Sequence, residues 1–483
     1  MRASAPTRSF GLGFASLTHE VSDVRLEVRG TLPAWLRGTL VRTGPALFEV
    51  GSEQFRHWFD GLGMLSRFAF ADGSTTYSSS FVKSKAYADA RSKGRITHRE
   101  FATDPPRGYI RRITAPPTDN ANVNVLQVDG TFLGTTETVK MQEIRPNDLA
   151  TVGRFRYEGT PFGVTQPAHP HYDPTTGEWI SYVTSPVRSA YKLFRVRPGT
   201  KRAELIASVP AKEPAYIHSF ALTPSFVVLV EYPLVMRTID LGLSGRPFIE
   251  NFKWKPERPT RFLVIDRSDG RMSRVYETEP FFCFHHVNAF ESAEELTIDL
   301  TFYPDDGVIR ELYLDRLRDE TSTIELGEVR RYRLGRDGAE VSYDVLCRER
   351  ADFPRINLWR NTVGYRYMYA AGTRSSPSDD FVNQLFKLDL ESRSVETWFE
   401  EGCYPGEPVF VSASRDGAED EGVILSLVLD SARRRSFLLV LDASSFSELA
   451  RAELPHHVPF GLHGQFFDAP GANGRLTPFG GPH

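Results

Sequence analysis

The sequence predicts an all-β protein made of many short antiparallel strands, and a β-propeller is the simplest such architecture. Three observations support this prediction. Runs of alternating apolar and polar residues, typical of half-buried strands, recur along the 483-residue chain. Asp-Gly pairs, which favour tight hairpin turns, interrupt several of these runs. No Gly/Ser-rich linker, charge block or low-complexity segment divides the chain into separate units.

The predicted strands follow one another with short turns between them. Their runs are rich in the β-branched and aromatic residues that strands favour. In chain order the runs lie within 29–45, 64–82, 122–139, 178–185, 191–197, 225–232, 261–277, 295–303, 329–345, 381–399, 422–430, 436–454 and 461–467. The Asp-Gly pairs at 72–73 and 129–130 predict hairpin turns. Short helices are predicted near 85–93 and 310–318.

The strand pattern by itself does not decide the architecture. A propeller blade holds about four strands, and seven blades would take about 69 residues each from a chain of 483. Compact propeller repeats need only ~40–50 residues, so long inserts between strands would be required. No strict sequence repeat is visible. A pair of β-sandwich domains therefore stays open as the alternative.

Composition and charge exclude several classes of protein. With 40% hydrophobic and 25% charged residues, the chain has enough apolar surface to fold. A net charge of −4 gives no indication of the excess of basic residues that is typical of nucleic-acid-binding proteins. The three cysteines, Cys283, Cys347 and Cys403, are too few and too widely spaced for a disulfide framework or a cysteine-based zinc site. A reducing compartment, the cytoplasm, is the simplest expectation.

No membrane-spanning segment is predicted. The N-terminal residues lack the long apolar run of a signal peptide. The most apolar stretch, Phe220 to Met236, is interrupted by Pro224, Glu231 and Pro233 and is too short to cross a bilayer. We therefore expect a soluble protein or one that contacts the membrane only peripherally.

Four of the twelve histidines stand in apolar surroundings. They are His169 in AHPHYD, His218 in YIHSFALT, His285 in FFCFHHVN and His463 in GLHGQFF. A buried imidazole must satisfy both ring nitrogens, and for any single histidine a hydrogen-bonded core position is the simpler interpretation. A shared metal site is the alternative, and the wide spacing does not decide between them. The competing histidines are His57, His171, His286, His456 and His457.

Motifs along nearly the whole chain resemble those of the carotenoid cleavage oxygenases. They include FRHWFDGLGM, TDNANVNV, TTETVKM, AHPHYD, IHSFALT, FHHVNAFE, DFPRIN, YPGEPVFVS and PFGLHGQFF, in the order found in that family. Such a series is far more specific than any one histidine. The resemblance implies a single domain, 1–483, folded as a seven-bladed β-propeller with a dome of loops and short helices over an axial metal site. It displaces the two-sandwich alternative.

The resemblance also implies the metal ligands. The family holds Fe(II) with four histidines, which match His169, His218, His285 and His463. Choosing His285 over the neighbouring His286 rests on the resemblance alone. The same is true of His169 over His171.

Three carboxylates of the family orient the ligand histidines, and they match Glu137, Asp352 and Glu407. A carboxylate that accepts the second ring N–H fixes the tautomer and raises the basicity of the ligand. The family usually has glutamate where this chain has Asp352. Because aspartate is one methylene shorter, we expect its hydrogen bond to pass through water or to need a shifted backbone.

The implied reaction is oxidative cleavage of an alkene. Both atoms of O2 add across one C=C bond of a carotenoid or apocarotenoid, giving two carbonyl products. Four histidines leave metal positions free for O2 and substrate. A hydrophobic polyene needs an apolar tunnel, and Phe281, Phe282 and Phe284, beside a predicted ligand, are candidates to line it. The apolar segment 232–254, with basic residues nearby, is a candidate for peripheral membrane contact.

Three alternatives stay open. A lignostilbene dioxygenase would share the fold, but in that group a lysine directly precedes the glutamate matched by Glu137, and this chain has Thr136 there. A retinoid isomerase would also share the fold. The HWFDG and TET segments resemble the branch that contains animal carotene oxygenases and the retinoid isomerohydrolase, so central cleavage of β-carotene to retinal is plausible. A non-catalytic scaffold would not need four intact histidines.

Overall fold

The computed structural model describes residues 9–106, 108–319, 321–338, 340–374 and 380–468. Antiparallel strands make up most of the regular structure in these residues, and the helices are few and short. The all-β prediction is therefore confirmed. Among the described residues, no helix combines the length and the apolar character that a bilayer-spanning segment needs.

The strands are numbered in chain order. The first part of the chain forms β1 (Val21–Arg25), β2 (Glu27–Gly30), β3 (Gly38–Leu47), β4 (Glu49–Val50), β5 (Glu53–Gln54), β6 (Leu62–Ala71), β7 (Ser74–Phe81), β8 (Asn124–Val128), β9 (Thr131–Thr135), β10 (Met141–Ile144) and β11 (Thr151–Phe155). The middle part forms β12 (His171–Tyr172), β13 (Trp179–Ser185), β14 (Ala190–Val196), β15 (Ala203–Pro210), β16 (Ala221–Leu222), β17 (Phe226–Glu231), β18 (Leu234–Val235), β19 (Lys253–Trp254), β20 (Thr260–Asp266), β21 (Met272–Thr278), β22 (His286–Glu291) and β23 (Glu295–Phe302). The last part forms β24 (Gly327–Gly335), β25 (Val341–Arg355), β26 (Tyr367–Thr373), β27 (Gln384–Asp389), β28 (Val395–Phe399), β29 (Cys403–Pro405), β30 (Val409–Ser412), β31 (Gly422–Asp430), β32 (Arg435–Asp442), β33 (Glu448–Glu453) and β34 (Gly464–Asp468).

The helices lie between the strands. They are α1 (Lys85–Lys93), α2 (Tyr109–Thr114), α3 (Asp240–Leu243), α4 (Gly307–Glu311) and α5 (Leu314–Leu317), with 3-10 turns at Ser9–Phe14, Trp58–Asp60, Ile249–Asn251 and Leu358–Arg360. The helix predicted at 85–93 is confirmed as α1, which begins where Ser84 accepts from the Tyr87 N–H and ends at the left-handed Gly94. The predicted 310–318 helix is instead two short helices, α4 and α5. No sequence pattern predicts α2 and α3, because each is only a turn or two long.

Consecutive strands pair as antiparallel meanders. Three sheets have four strands each, in the orders β11-β10-β9-β8, β12-β13-β14-β15 and β16-β17-β20-β21. A five-stranded sheet, β1-β7-β6-β3-β34, joins the two ends of the chain because β34 pairs with β3. A six-stranded sheet, β2-β33-β32-β31-β29, also takes in a strand from the first part of the chain, and β30 pairs with β31.

A seven-stranded sheet, β22 to β28 in chain order, is two meanders that share one long strand. The shared strand, β25, has 15 residues. It pairs with β24 from Val341 to Val345 and again at Arg350 and Ala351, and with β26 from Arg350 to Arg355, with register shifts in both ladders. Strands β22 to β25 and β25 to β28 are therefore two four-stranded meanders that share β25.

The predicted Asp-Gly turns are confirmed. Asp72 and Gly73, with φ of 50° and 69°, connect β6 to β7. Asp129 and Gly130, with φ of 45° and 75°, connect β8 to β9. Two consecutive residues with positive φ form the tight turn whose twist matches that of paired strands. Local sequence thus fixes the register of these hairpins.

The largest hydrophobic cluster gathers aromatic residues from distant parts of the chain. Phe14 lies edge-on to Trp58 and to Phe381, with ring centroids 5.9 and 5.2 Å apart, and Phe460 stacks on Phe381 at 4.6 Å. Aromatic pairs of this kind add about 0.5–1.5 kcal/mol beyond the area they bury. This cluster packs against the wall of the site described next.

Candidate metal centre

The four predicted histidines stand at the same place in four different sheets. His169 lies two residues before β12, His218 three residues before β16, His285 directly before β22 and His463 directly before β34. Each of these strands is at the edge of its sheet. The chain therefore brings together four equivalent sheet edges, and each supplies one imidazole.

The four imidazoles converge through their Nε2 atoms. Those of His169 and His218 are 3.1 Å apart, and those of His285 and His463 are 3.2 Å apart. One ligand atom from each of the four lies within 4.8 Å of all the others. His218, His285 and His463 are buried, and His169 is half-buried. Four nitrogen atoms this close need a cation or shared protons to offset the repulsion of their lone pairs.

Carboxylates hold three of these rings from the opposite side. The Nδ1 atom of His218 is 2.7 Å from Glu137 Oε1, that of His285 is 2.6 Å from Asp352 Oδ1, and that of His463 is 2.8 Å from Glu407 Oε1. An Nδ1–H bonded to a carboxylate leaves the Nε2 lone pair free for a metal. Among the described residues, no carboxylate pairs with His169.

Asp352 reaches His285 directly, so no bridging water is needed for this contact. The backbone beside it supplies the missing length: Phe353 has φ of 53°, and the β25–β26 ladder shifts register between Asp352 and Arg355. Asp352 also accepts from Tyr303 Oη at 2.7 Å and from the Phe353 N–H at 2.8 Å. Burial raises the pKa of Asp352, but His285 and these donors outweigh it and hold the pKa below its ordinary value.

The electrostatics favour neutral imidazoles. Burial, followed by the neighbouring histidines, lowers the pKa of His169 well below its ordinary value. Burial, together with His285 and Arg355, does the same to the pKa of His463. A neutral imidazole is the form that binds a metal.

The donor set fits a transition metal. Metal–imidazole bonds of about 2 Å place adjacent donor atoms about 3 Å apart, close to the two measured Nε2 separations. A site made only of imidazoles suits iron, zinc, copper or nickel better than the oxygen-seeking magnesium or calcium. The geometry therefore supports a site for a transition metal of this group.

The competing histidines lie elsewhere. His171 Nε2 donates to the Phe220 carbonyl at 2.6 Å, and His57 Nε2 donates to that of Ile309 at 3.0 Å. His286 Nδ1 lies 2.8 Å from Ser219 Oγ, and its buried Nε2 has no hydrogen-bond partner among the described residues. His456 and His457 lie outside the four-nitrogen cluster, and His456 Nδ1 is 2.7 Å from the His457 carbonyl.

A cavity of about 520 Å³ leads away from the histidine centre. His218, His285 and His463 are among its lining residues. Most of the other lining residues are apolar, including Trp58, Phe59, Val308, Leu312, Ile324, Leu326, Phe381 and Val382. Residues of α3 and the preceding Ile239 also line the cavity, and Ile239 and Leu243 are exposed at the surface. The cavity is therefore an apolar tunnel that joins exposed residues to three of the four imidazoles.

Of the three predicted tunnel phenylalanines, only Phe284 lines this cavity. Phe281 points the other way along the extended chain and stacks on Tyr332 at 5.1 Å. Phe282 lies one layer behind Phe284, with ring centroids 4.9 Å apart, and stacks on Tyr216. Phe281 and Phe282 are not among the residues that line this cavity, and both are buried.

Several residues behind the histidines are not among the predicted site residues. Tyr216 Oη donates to Glu137 at 2.8 Å, as Tyr303 does to Asp352. Arg355 Nε lies 3.1 Å from Glu407 Oε1, and the buried Arg42 lies 3.6 Å from Oε2 of the same carboxylate. These contacts join residues that are distant in the sequence, so only the folded chain reveals them.

Comparison with known proteins agrees with this geometry. A family model described as retinal pigment epithelial membrane protein matches residues 14–468. The mitochondrial carotenoid-cleaving dioxygenase of Macaca fascicularis is 34% identical, over 92% of each chain. The β,β-carotene 15,15'-dioxygenase of Homo sapiens is 30% identical, also over 92% of each chain.

A solved structure gives the same result for the fold. Cobalt-substituted Synechocystis apocarotenoid oxygenase superposes with a TM-score of 0.84 at 26% identity, covering 96% of this chain and 98% of that one. Sequence and fold thus match the same group of proteins over nearly their full length. The chain belongs to the carotenoid cleavage oxygenase family, as the motif series predicts, and is an enzyme of the oxygenase class.

Proposed function

We propose that this protein is a non-haem Fe(II)-dependent dioxygenase that cleaves one C=C bond of a carotenoid or apocarotenoid with O2, giving two carbonyl products. The observation that carries the proposal is the convergence of the four histidines, three of which line an apolar tunnel. The related carotenoid-cleaving dioxygenases support the choice of substrate class.

In this proposal His169, His218, His285 and His463 hold the iron, which, when bound, supplies electrons to dioxygen. Glu137, Asp352 and Glu407 hold three imidazoles in the tautomer that presents Nε2. Tyr216 and Tyr303 in turn fix two of these carboxylates. The buried hydrogen-bond network keeps three of the four donors in place without substrate, so little reorganisation is needed at the reaction step.

The tunnel residues orient the polyene and exclude water. Phe284 packs against His218 with ring centroids 5.3 Å apart, and Trp58 and Phe59 line the wall near it. Apolar walls bind an apolar chain through area burial, worth about 25 cal/mol per Å². Exclusion of water from the tunnel also prevents side reactions with water during cleavage. The proposal assigns no general base or nucleophile to a side chain, since the residues near the imidazoles only bind and orient.

We also propose that the whole chain, 1–483, is one seven-bladed propeller. Five separate sheets and the two halves of the seven-stranded sheet give seven antiparallel meanders, apart from the two-stranded β4-β5 and β18-β19. Pairing of β34 with β3 would close the ring between its first and last strands. A closed ring explains why four sheet edges meet at one point.

We further propose that the tunnel mouth rests on a membrane. Within the predicted segment 232–254, Ile239 and Leu243 are 54% and 59% exposed, whereas the apolar residues at 232 and 234–236 are buried. Helix α2 lies beside α3, since Tyr109 Oη donates to the Leu243 carbonyl, and it adds the exposed Ile110. We call Tyr109, Ile110, Ile239 and Leu243 the mouth patch. Exposed apolar residues around a tunnel for an apolar substrate suit contact with lipid.

Replacing Ile239 and Leu243 together with aspartate is expected to weaken binding to phospholipid vesicles at least tenfold. Each apolar side chain contributes about 1.5–3 kcal/mol when fully buried, and each new charge is repelled by an apolar environment. Vesicle co-sedimentation measures the loss, while iron content stays as in the wild type. Val345→Asp, at an exposed apolar residue of β25 far along the chain, is the control. Equal vesicle binding by the double variant and the wild type would disprove the contact.

The substrate class is tested by products. Iron-loaded protein is incubated in air with β-carotene, an apocarotenal and a hydroxystilbene, and the aldehydes are identified by mass. We expect cleavage of one or both carotenoid substrates and little of the stilbene, because Thr136 leaves no lysine beside Glu137 to engage a phenol. Cleavage of the stilbene alone would favour a lignostilbene dioxygenase. Isomerisation of a retinoid ester without any cleavage would favour an isomerase.

A further inference from the structure

Glu100 places a carboxyl group in the wall of the largely apolar tunnel. Its side chain is buried, with the residue only 4% exposed. A buried carboxyl group costs free energy unless hydrogen bonds replace those it made to water. A pure hydrocarbon in the tunnel could form no such bond. The position of Glu100 therefore requires a polar partner, either from the protein or from the ligand.

The protein offers Glu100 a polar neighbour in the tunnel wall. Hydrogen bonding by the side chain of Thr118, which also lines the tunnel, lowers the pKa of Glu100. Thr138 lines the tunnel too, and its Oγ1 donates to the Thr118 carbonyl at 2.9 Å. A carboxyl group offers about four hydrogen-bonding positions, so Glu100 retains capacity towards the tunnel. We call Glu100, Thr118 and Thr138 the polar patch.

The polar patch lies between the tunnel mouth and the histidine centre. On the mouth side, Arg99 donates to the Leu241 carbonyl of α3 at 2.7 Å. On the inner side, Phe101 packs against Tyr216 with ring centroids 5.9 Å apart, and Tyr216 Oη lies 3.3 Å from His218 Nδ1. Glu100 thus stands in the chain between a residue that contacts the mouth helix and one that packs towards the histidine centre, and it lines the same cavity as both ends.

The surroundings favour the neutral form of this carboxyl group. Burial, and then the nearby Asp60, Asp119 and Asp104, raise the pKa of Glu100 well above its ordinary value. Asp119 accepts from the Lys85 and Ala86 backbone N–H groups. A neutral carboxyl group can both donate and accept a hydrogen bond, so it can bind a carbonyl or a hydroxyl oxygen.

We infer that Glu100 binds the oxygen-bearing end of the substrate, so that the preferred substrate is a polyene with a terminal carbonyl or hydroxyl group rather than a pure hydrocarbon. This inference rests on the proposed function and narrows its substrate class. The hydrocarbon part of the molecule extends from Glu100 towards the four imidazoles. Because one end is fixed, the distance from Glu100 to the histidine centre determines which C=C bond is cleaved.

The test compares two polyenes of equal length, an apocarotenal and the analogue whose terminal aldehyde is a methyl group. With iron-loaded wild type we expect kcat/KM to favour the aldehyde at least about tenfold, as one well-made hydrogen bond allows. Glu100→Leu is expected to lose this preference and to give products of mixed chain length. Glu100→Gln has nearly the same shape and still donates and accepts, so it is expected to retain both the preference and the single cleavage position.

A binding measurement tests the inference without turnover. Under argon, the apocarotenal quenches the fluorescence of Trp58 in the tunnel wall, and its Kd is expected to rise about tenfold in Glu100→Leu but not in Glu100→Gln. Urea unfolding identifies a variant that fails to fold, and in that case Glu100→Met replaces Glu100→Leu. A merely structural role would change stability without changing the choice between the two polyenes.

Failure of the inference about Glu100 can be distinguished from failure of the proposed function. If wild type cleaves both polyenes equally well, or if Glu100→Leu keeps the preference and the cleavage position, the inference is wrong and the proposed function stands. If iron-loaded wild type cleaves no polyene, the proposed function fails and the inference fails with it.

Discussion

Replacing His285 with alanine abolishes iron binding and alkene cleavage, whereas replacing the adjacent His286 leaves iron bound. His285 Nε2 lies 3.2 Å from His463 Nε2 within the four-nitrogen cluster, and Asp352 holds its other nitrogen. His286 faces the other side of the strand and contacts Ser219. Loss of a carboxylate behind a ligand costs about 10–100-fold in metal affinity, and loss of the ligand itself is expected to cost more.

Iron content per chain after anaerobic reconstitution and desalting measures this contrast. We expect close to one iron per chain in the wild type and in His286→Ala, and almost none in His285→Ala. His286→Ala removes one hydrogen bond to Ser219, so the free energy of unfolding falls by only about 1 kcal/mol. Iron bound by His285→Ala and absent from His286→Ala would show that the cluster of Nε2 atoms is not the metal site.

Replacing Glu407 with glutamine reduces both iron affinity and stability. Glu407 accepts from His463 Nδ1 and from the Gly464 N–H, and its charge faces the buried Arg42 and the half-buried Arg355. The amide keeps the shape but leaves these arginines without a counter-charge. Unpairing a buried charge costs about 3–5 kcal/mol. We expect iron affinity to fall about 10–100-fold and the metal-free protein to lose about 3 kcal/mol of unfolding free energy.

Glu137→Gln is the matched control for this prediction. Glu137 also holds a ligand histidine, but within the described residues it forms an ion pair with His218 only and faces no arginine. We expect it to lose iron affinity to a similar extent and to unfold at nearly the same urea concentration as the wild type. Equal destabilisation of the two metal-free variants would contradict the role given to Arg42 and Arg355.

Local sequence predicts those parts of the fold that local interactions determine. The Asp-Gly pairs at 72–73 and 129–130 fix hairpins, and the helix at 85–93 has a capping serine and a terminal glycine. Helices α2 and α3 have no such signals, since their position depends on contacts such as that between Tyr109 and Leu243. How the sheets assemble depends on pairings across the chain, such as β3 with β34, which alternation of polarity does not reveal.

The sequence likewise predicts some features of the candidate site, whereas others depend on the folded chain. The motif series identifies the four histidines and their carboxylates, but strand alternation shows only that one of His285 and His286 can face the centre. The folded backbone makes the choice. It also lets the shorter Asp352 reach His285 through the positive φ of Phe353. Phe281 and Phe282 are next to a ligand in sequence, yet their rings pack on Tyr332 and Tyr216, away from the tunnel.

The most direct test of the proposed dioxygenase reaction is cleavage of the apocarotenal in an atmosphere of ¹⁸O2. The carbonyl products are reduced to alcohols as they form, so that exchange with water does not erase the label, and are then analysed by mass. The proposed reaction predicts one ¹⁸O atom in each of the two products from iron-loaded wild type, and no products from His285→Ala. Label in only one of the two products, or unlabelled products, would contradict it.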